Sequence, residues 1–338
     1  TTTRNKREEQ MSAEVETMMY TQTVPWHGLG TYVGDTPLLS EEAIVKAGLD
    51  WEVEKTDLMA LRYDETLDKD VECLTSEYFA NVRTSDNKVL GVVQNRYSLI
   101  QNSEAFAFMD QIAGPGKLLR YHTAGSLFGG KRVWMLAEVT GLVIEPVKND
   151  ITQPYVLLVN GHDGRMPLKA MFTSVRVVCQ NTLNMALKSA KDGITIRHTG
   201  SLKDKLAASR DILGITTREI EAHNELAKNL AQKKMGDAVF KQFLENLVPI
   251  AEDKPNTRRE NVRDKLTELF QSGAGTEIPG VRGTAWGALQ AVTEYNTHWR
   301  GTRGAKTDVE KQTSRLQSTW MGTGNTMNRE ALALLAAV

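Results

Sequence analysis

Cysteine is nearly absent from this chain of 338 residues, which holds only two, Cys73 and Cys179. Neither belongs to a CxxC pair or lies near a histidine at ligand spacing, so a disulfide scaffold and a cysteine zinc site are excluded and a reducing compartment is expected. No stretch approaches the roughly 18 apolar residues that a membrane-crossing helix needs. The opening TTTRNKREEQ is polar and has no apolar core of a signal peptide. Met11 looks like a start, so residues 1–10 are read as an upstream extension and residues 1–20 as a flexible N-terminal extension. A marked charge excess is missing too. Lys+Arg number 41 against 42 Asp+Glu, a net of −1, and such a balance counts against a nucleic-acid binder, which usually carries a basic excess. What remains is 41% hydrophobic content, enough for one or two sizeable cores and too much for a disordered tail.

The balanced total hides segregation. Residues 1–116 hold 10 basic and 20 acidic side chains, 117–205 hold 13 and 6, and 206–338 hold 18 and 16, nets of −10, +7 and +2. The middle block is a candidate polyanion surface and the acidic first third discourages binding elsewhere. The plainer reading places those cations on solvated strand faces.

SEEAIVKAG at 40–48 reads as a helix with Ser40 as N-cap and Gly48 as its stop. Runs 71–84 and 89–100, joined by Ser85-Asp86-Asn87-Lys88, form a hairpin, followed by a helix from Asn102 that ends at Gly114-Pro115-Gly116. Two further hairpins are expected, 117–127 with 131–139 and 154–160 with 166–178. A helix over 179–191 and a strand over 194–198 follow. The fold class is α+β: antiparallel β-hairpins packed with helices, a β-β-β-α-like core over 21–200. A helical C-terminal subdomain covers 201–338, with helices at 202–213, 217–234, 237–248, 284–299 and 328–337 and a basic loop at 300–315.

GSLFGGKR at 125–132 matches G-x-x-x-x-G-K, but Arg132 replaces the Ser or Thr that magnesium needs and the string lies between two strands, so a glycine hairpin turn is the better reading. HGLGTYVG at 27–34 misses the dinucleotide fingerprint. The six histidines show no metal-ligand spacing, and no metal, cofactor or catalytic residue is assigned. His162-Asp163 as base and orienter competes with a plain Asp-Gly turn. Cys179 as a nucleophile at a helix start competes with a buried structural cysteine, which its apolar lead-in favours.

Arg120, Lys131, Arg132, Lys169, Arg176, Lys188, Lys191 and Arg197 fall inside the sheet block, interleaved with Tyr121, Phe128, Trp134, Tyr155 and Phe172. Alternation sets Lys169, Met171 and Thr173 on one face and Ala170 and Phe172 on the other, so that cations can segregate from apolar residues. Cations tracking a backbone beside exposed aromatics hold single strands without reading sequence. Against this, at least two of Trp134, Tyr155 and Phe172 are expected in the core.

The strings PWHGLGTYV (25–33), AGLDWEVEK (47–55), VLGVVQNRYSLIQN (89–102), GGKRVWMLAEV (129–139), NGHDGRMPLKA (160–170), SVRVVCQNTLNMAL (174–187), IRHTG (196–200) and GTAWGALQAVTEYNTHW (283–299) together resemble the phage- and plasmid-encoded family of the domain of unknown function 932 (DUF932). The similarity spans the chain from about residue 20. It implies a protein of a mobile element in a bacterial host cytoplasm, with no catalytic residues to carry over. The hairpins followed by a helix are also similar in layout to single-strand annealing proteins of the Erf and Redβ type, a likeness of fold alone. The expected function is therefore non-enzymatic binding and annealing of single-stranded DNA by a homo-oligomer, a ring or filament, through the eight cations above. The alternative is an interaction or virion-associated protein whose basic block docks onto an acidic partner, such as the acidic first third of a neighbouring subunit. A nuclease or other hydrolase using His162, Asp163 or His198 is a third reading.

Overall fold

The computed structural model describes residues 15–22, 30–112, 119–176, 182–185, 194–199, 216–250 and 256–337. In chain order the elements are β1 (Val15–Tyr20), β2 (Thr31–Tyr32), α1 (Ser40–Lys46), β3 (Val53–Asp64), β4 (Lys69–Arg83), β5 (Lys88–Gln94), α2 (Asn102–Ile112), β6 (Leu119–Leu127), β7 (Arg132–Val139), β8 (Thr152–Gly161), β9 (Leu168–Arg176), β10 (Thr182–Met185) and β11 (Ile194–Ile196). Helices follow: α3 (Thr216–Gln232), α4 (Asp237–Leu247), α5 (Thr257–Ser272), α6 (Ala285–Glu294), a π-helical turn Tyr295–Trp299, α7 (Asp308–Met321) and α8 (Thr323–Ala337). The class is α+β, as the hairpin and helix patterns indicate.

Eight strands form one sheet in the order β10-β9-β8-β7-β6-β1-β2, with β11 sharing the same edge of β9 as β10. β3-β4-β5 make a separate three-stranded sheet. All pairs are antiparallel except β1 with β2. Both faces of the central strands are covered. Val133, Met135 and Ala137 of β7, with Val156 and Leu158 of β8, join the main core, which continues into the C-terminal helices. The opposite face carries Trp134, Leu136, Tyr155, Leu157, Val159 and Met171, packed under Leu316 and Trp320 of α7. Trp134 and Trp320 meet edge to face with ring centroids 4.9 Å apart. Runs such as VWMLA and YVLLV are apolar without alternation, as strands buried on both faces are.

The small sheet is tied to the large one by polar contacts at buried positions. Arg83 donates to Glu16 Oε1 and Oε2 at 2.8 and 2.9 Å and to both oxygens of Asp86. Its guanidinium stands 5.2 Å from the Trp51 ring. The bond to Arg83 and its charge hold the Glu16 carboxyl below the usual carboxylate range against the opposing effect of burial. At Gly91 of β5 a Cβ would stand 2.6 Å from the Asp163 Cα, so only glycine lets this strand approach the β8–β9 turn.

Four expectations are revised. Val15–Tyr20 is a strand pairing with β6 rather than an extension, because Met18 and Met19 bury against both cores. Residues 182–185, read as helix, pair with Phe172–Val175 of β9: the unfilled edge of β9 outweighs a helical pattern that was only mixed. Leu39, not Ser40, is the cap residue of α1, which lacks a side-chain cap. The basic stretch 300–315 is a loop only to 307, and α7 starts at Asp308 with a capping box between Thr307 and Glu310. The expected helix 202–213 and the reading of residues 1–10 lie outside the described residues.

Trp320→Ala empties the space against Trp134 and is expected to cost about 3–5 kcal/mol, read as a lower urea midpoint in equilibrium unfolding. A loss below about 1 kcal/mol contradicts the packing described.

Candidate nucleic-acid interface

The eight sequence-nominated cations do not share one surface. Lys131 lies exposed in the β6–β7 turn and Arg132 opens β7, half-buried, with its guanidinium 4.8 Å from the Phe128 ring and its Nε 3.9 Å from Asp163. Arg120 stands at the far end of the same hairpin, opposite Glu138, six residues along β7 from Arg132, or about 20 Å at strand rise. Lys169 is half-buried on the face that also carries Met171 and lies under α7, so that face is not the open basic surface its alternation suggested. Arg197 is exposed beyond β11. Arg176 closes β9 opposite Thr152, and Lys188, Lys191 and Cys179 lie outside the described residues. Of the five interleaved aromatics, Tyr121, Trp134, Tyr155 and Phe172 are buried and Phe128 alone is partly exposed.

GSLFGGKR is a hairpin turn, strand to strand, with positive φ at Phe128, Gly129 and Gly130. It brings Arg132 to a cavity of about 360 Å³ built mainly by the C-terminal helices, lined also by Arg258, Arg300, Arg303 and Arg315 together with Ser314, Ser318 and Thr323. No carboxylate lines it.

Local structure explains how these arginines converge. Asn256 accepts from the Arg259 amide and caps α5, setting Arg258 and Arg259 in its first turn. α6 is buried throughout, started by Thr284 accepting from the Gly287 amide. At its end the helix widens into the π turn 295–299, where Tyr295 O accepts from the Arg300 amide at 2.7 Å. Such widened turns recur at functional sites. Arg300 is then fixed by neutral partners: Nη1 donates to Asn296 Oδ1 at 2.7 Å and Nη2 to Thr323 Oγ1 at 2.9 Å. Asn296 itself is buried and donates to Asn328. Arg315 of α7 donates from Nε to the Arg300 carbonyl at 3.0 Å.

Among the described residues none of Arg258, Arg300, Arg303 and Arg315 forms an ion pair within 4.0 Å. Burial lowers the Arg300 guanidinium from its ordinary value; Tyr295 opposes this in part, and the neighbouring Arg258 charge adds a lesser push downward. Burial also lowers Arg315, partly offset by Asp308. Arg300 and Arg315 are thus under-solvated cations without a counter-charge at contact distance, flanked by the exposed Arg258 and Arg303, and such a cluster attracts anions. Arg258 and Arg300 also border a second, wider cavity of about 1090 Å³, whose other lining includes Leu247, Val262, Lys265, Trp299 and one carboxylate, Glu330, so the two run together as one cleft whose smaller half alone is free of carboxylates.

The histidines do structural work. His162 Nε2 bonds Asn102 Oδ1 at 2.9 Å. Because the Asn102 amide donates to Leu49 O, that oxygen accepts and the proton sits on Nε2. His198 Nδ1 meets Ser98 O at 3.1 Å, and its ring stacks on Tyr97 with centroids 4.7 Å apart. Asp163 Oδ1 accepts from the Arg165 amide, as in an Asp-Gly turn. Burial pushes His162 down to about 3 and His223 down to about 4, and lowers His198 as well. Among the described residues no cluster of three or more His, Cys, Asp and Glu could hold a metal ion, and no helix is long and apolar enough to cross a membrane.

Residues 89–320, well over half the chain, match the family model described as a domain of unknown function (DUF932). No curated protein and no solved structure matches.

An unfolded histidine takes its proton near pH 6.5, whereas folded His162 and His223 do so only near 3 and 4. The unfolded state thus binds more protons throughout that window. Stability is full above pH 6.5 and falls on acidification, by up to about 1.4 kcal/mol per pH unit for each histidine. Urea unfolding between pH 7 and 5 is expected to show this fall, and His223→Leu to make it shallower; a flat profile contradicts the buried neutral imidazoles.

Proposed function

The chain belongs to the DUF932 family, and from that premise we propose that it binds single-stranded DNA in the arginine cleft as an annealing-type protein of a phage or plasmid. The observation that carries the reading is the meeting of Arg132, Arg258, Arg300, Arg303 and Arg315 around one cavity free of carboxylates. Phosphodiesters supply the missing counter-charge, and Ser314, Ser318 and Thr323 offer hydroxyls to the same oxygens. Duplex readers insert a projecting helix or ribbon into a groove. Here the cations line a concavity, which suits one flexible strand. Phe128, beneath the Arg132 guanidinium and partly exposed, is the hairpin aromatic left to stack on a base. The interface moves from the sheet, as read from sequence, to the junction of the β6–β7 turn with α5, α7 and the loop 300–307.

A labelled oligonucleotide titrated at several salt concentrations tests this. Arg258→Ala with Arg303→Ala is expected to weaken binding at least about tenfold and to flatten the log K against log salt slope by about 1.4, since each single-strand phosphate contact contributes about 0.7. Arg120→Ala, at the other end of the hairpin, should change affinity less than about twofold. Absence of binding at low salt overturns the proposal, and loss with Arg120→Ala but not with the cleft variant moves the site back to the sheet.

A further inference from the structure

β3 and β4 outrun their sheet. β5 pairs only with Tyr78–Arg83 of β4, so residues 58–77 continue as a two-stranded ribbon. The seven residues from Leu58 to Asp64 project about 24 Å at strand rise. A two-stranded ribbon alone is marginally stable in water. The pairs Met59↔Leu74, Leu61↔Glu72 and Tyr63↔Asp70 share one face, because directly opposed residues point the same way. On it Met59, Leu61, Tyr63 and Leu74 are 52%, 68%, 55% and 74% exposed. Apolar residues at every second position, all facing water, mark a surface built to be covered.

The charge on the ribbon selects what covers it. Residues 58–77 hold six acidic and two basic side chains, so two such arms repel and a face-to-face pairing of arms is disfavoured. The complementary surface is on the same chain. The wider half of the cleft has an apolar floor of Leu247, Val248 and Val262 beside Arg258, Arg259, Arg300 and Lys265, four cations against the one carboxylate of Glu330; Lys265 also pairs with Glu268 at 2.6 Å and lies over Trp299, half exposed at the edge.

We infer that the acidic, apolar arm of one copy seats in the wide half of the cleft of a second copy. Leu61 and Leu74 would lie on the apolar floor, and Asp70 and Glu72 would face Arg259 and Lys265. The contact joins two different surfaces, so each copy keeps one free arm and one free cleft and assembly continues head to tail into a ring or filament. The arm leaves the arginine half open, and repetition sets successive arginine pockets along one track. The inference goes beyond the DNA reading and stands or falls separately from it.

Mass photometry of three full-length proteins decides it. Wild type is expected to form assemblies larger than a dimer at low salt. The arm variant Leu61→Ser with Leu74→Ser and the cleft variant Arg259→Glu with Lys265→Glu should each be monomeric. Mixed in equal amounts they should give a 1:1 pair and nothing larger, because only one intact arm and one intact cleft remain. Monomeric wild type, an arm variant that still assembles, or a mixture that stays monomeric overturns the inference. Should the cleft variant fail to fold, a photo-crosslinking residue in place of Leu61 gives the second reading. Adducts to peptides within 247–265 of another copy support the contact, and adducts to the arm itself overturn it. Oligonucleotide binding by the arm variant, whose arginine half is intact, keeps the two proposals apart: it persists whether or not the arm contact is right and is lost only if the DNA reading fails.

Discussion

Trp134 against Trp320 is the contact on which the placement of the cations depends. It fixes α7 across the second face of the eight-stranded sheet, with Leu316 beside it, so neither face of the central strands is left as a platform. It thereby holds the far end of the loop 300–307, whose near end is tied to α7 by Arg315 Nε donating to the Arg300 carbonyl and Thr319 Oγ1 donating to the Asn296 carbonyl. The loop leaves the π turn that follows buried α6 and must reach the start of α7, a constraint that carries Arg300, Arg303 and Arg315 past the β6–β7 turn and Arg132. Burial of the two indoles holds α7 and with it Arg315, while Asn296 and Thr323 set Arg300 and the α5 cap sets Arg258.

Much of the fold is legible from local patterns. The turn residues after β4 and β6, the glycine stop of α1 and the helical segments from 216 onward show their physical causes over a few residues. What escapes local reading is set by distant partners. The VETMMY of β1 bears no turn signal and becomes a strand only because β6 offers an edge. Residues 182–185 become a strand because β9 does the same. The alternation of β9 alone places Lys169 on an open face, although the unbroken apolar runs of β7 and β8 mark this face as covered. Of the site, Arg132 and the basic character of 300–315 were visible. The convergence of Arg258 with them was not, since it rests on the packing of α5 beside a π turn that no spacing announces.

The near-neutral total charge is therefore a sum over unlike surfaces. Part of the acidic excess of the first third projects on the ribbon 58–77, while Arg258, Arg300, Arg303 and Arg315, which form no ion pair among the described residues, gather with Arg132 in the cleft. Fields of this kind act on association and leave the fold alone. In the inferred assembly they would also set orientation, because an acidic arm with an apolar stripe and a basic cleft with an apolar floor match each other and do not match themselves.

The way Arg300 is held sharpens the argument that an anion belongs beside it. A guanidinium whose burial already disfavours its charge would be stabilised most simply by a carboxylate, yet its side-chain contacts are the Asn296 amide oxygen, the Thr323 hydroxyl and the sulfur of Met327. Neutral acceptors fix the direction of the group without cancelling its charge. The desolvation cost is thus borne in the free protein and the geometry is already set, so under the proposed reading a phosphate would meet an oriented cation with little further ordering to perform. A structural ion pair would have removed that attraction, and the absence of carboxylates from the lining of this cavity is what keeps it available.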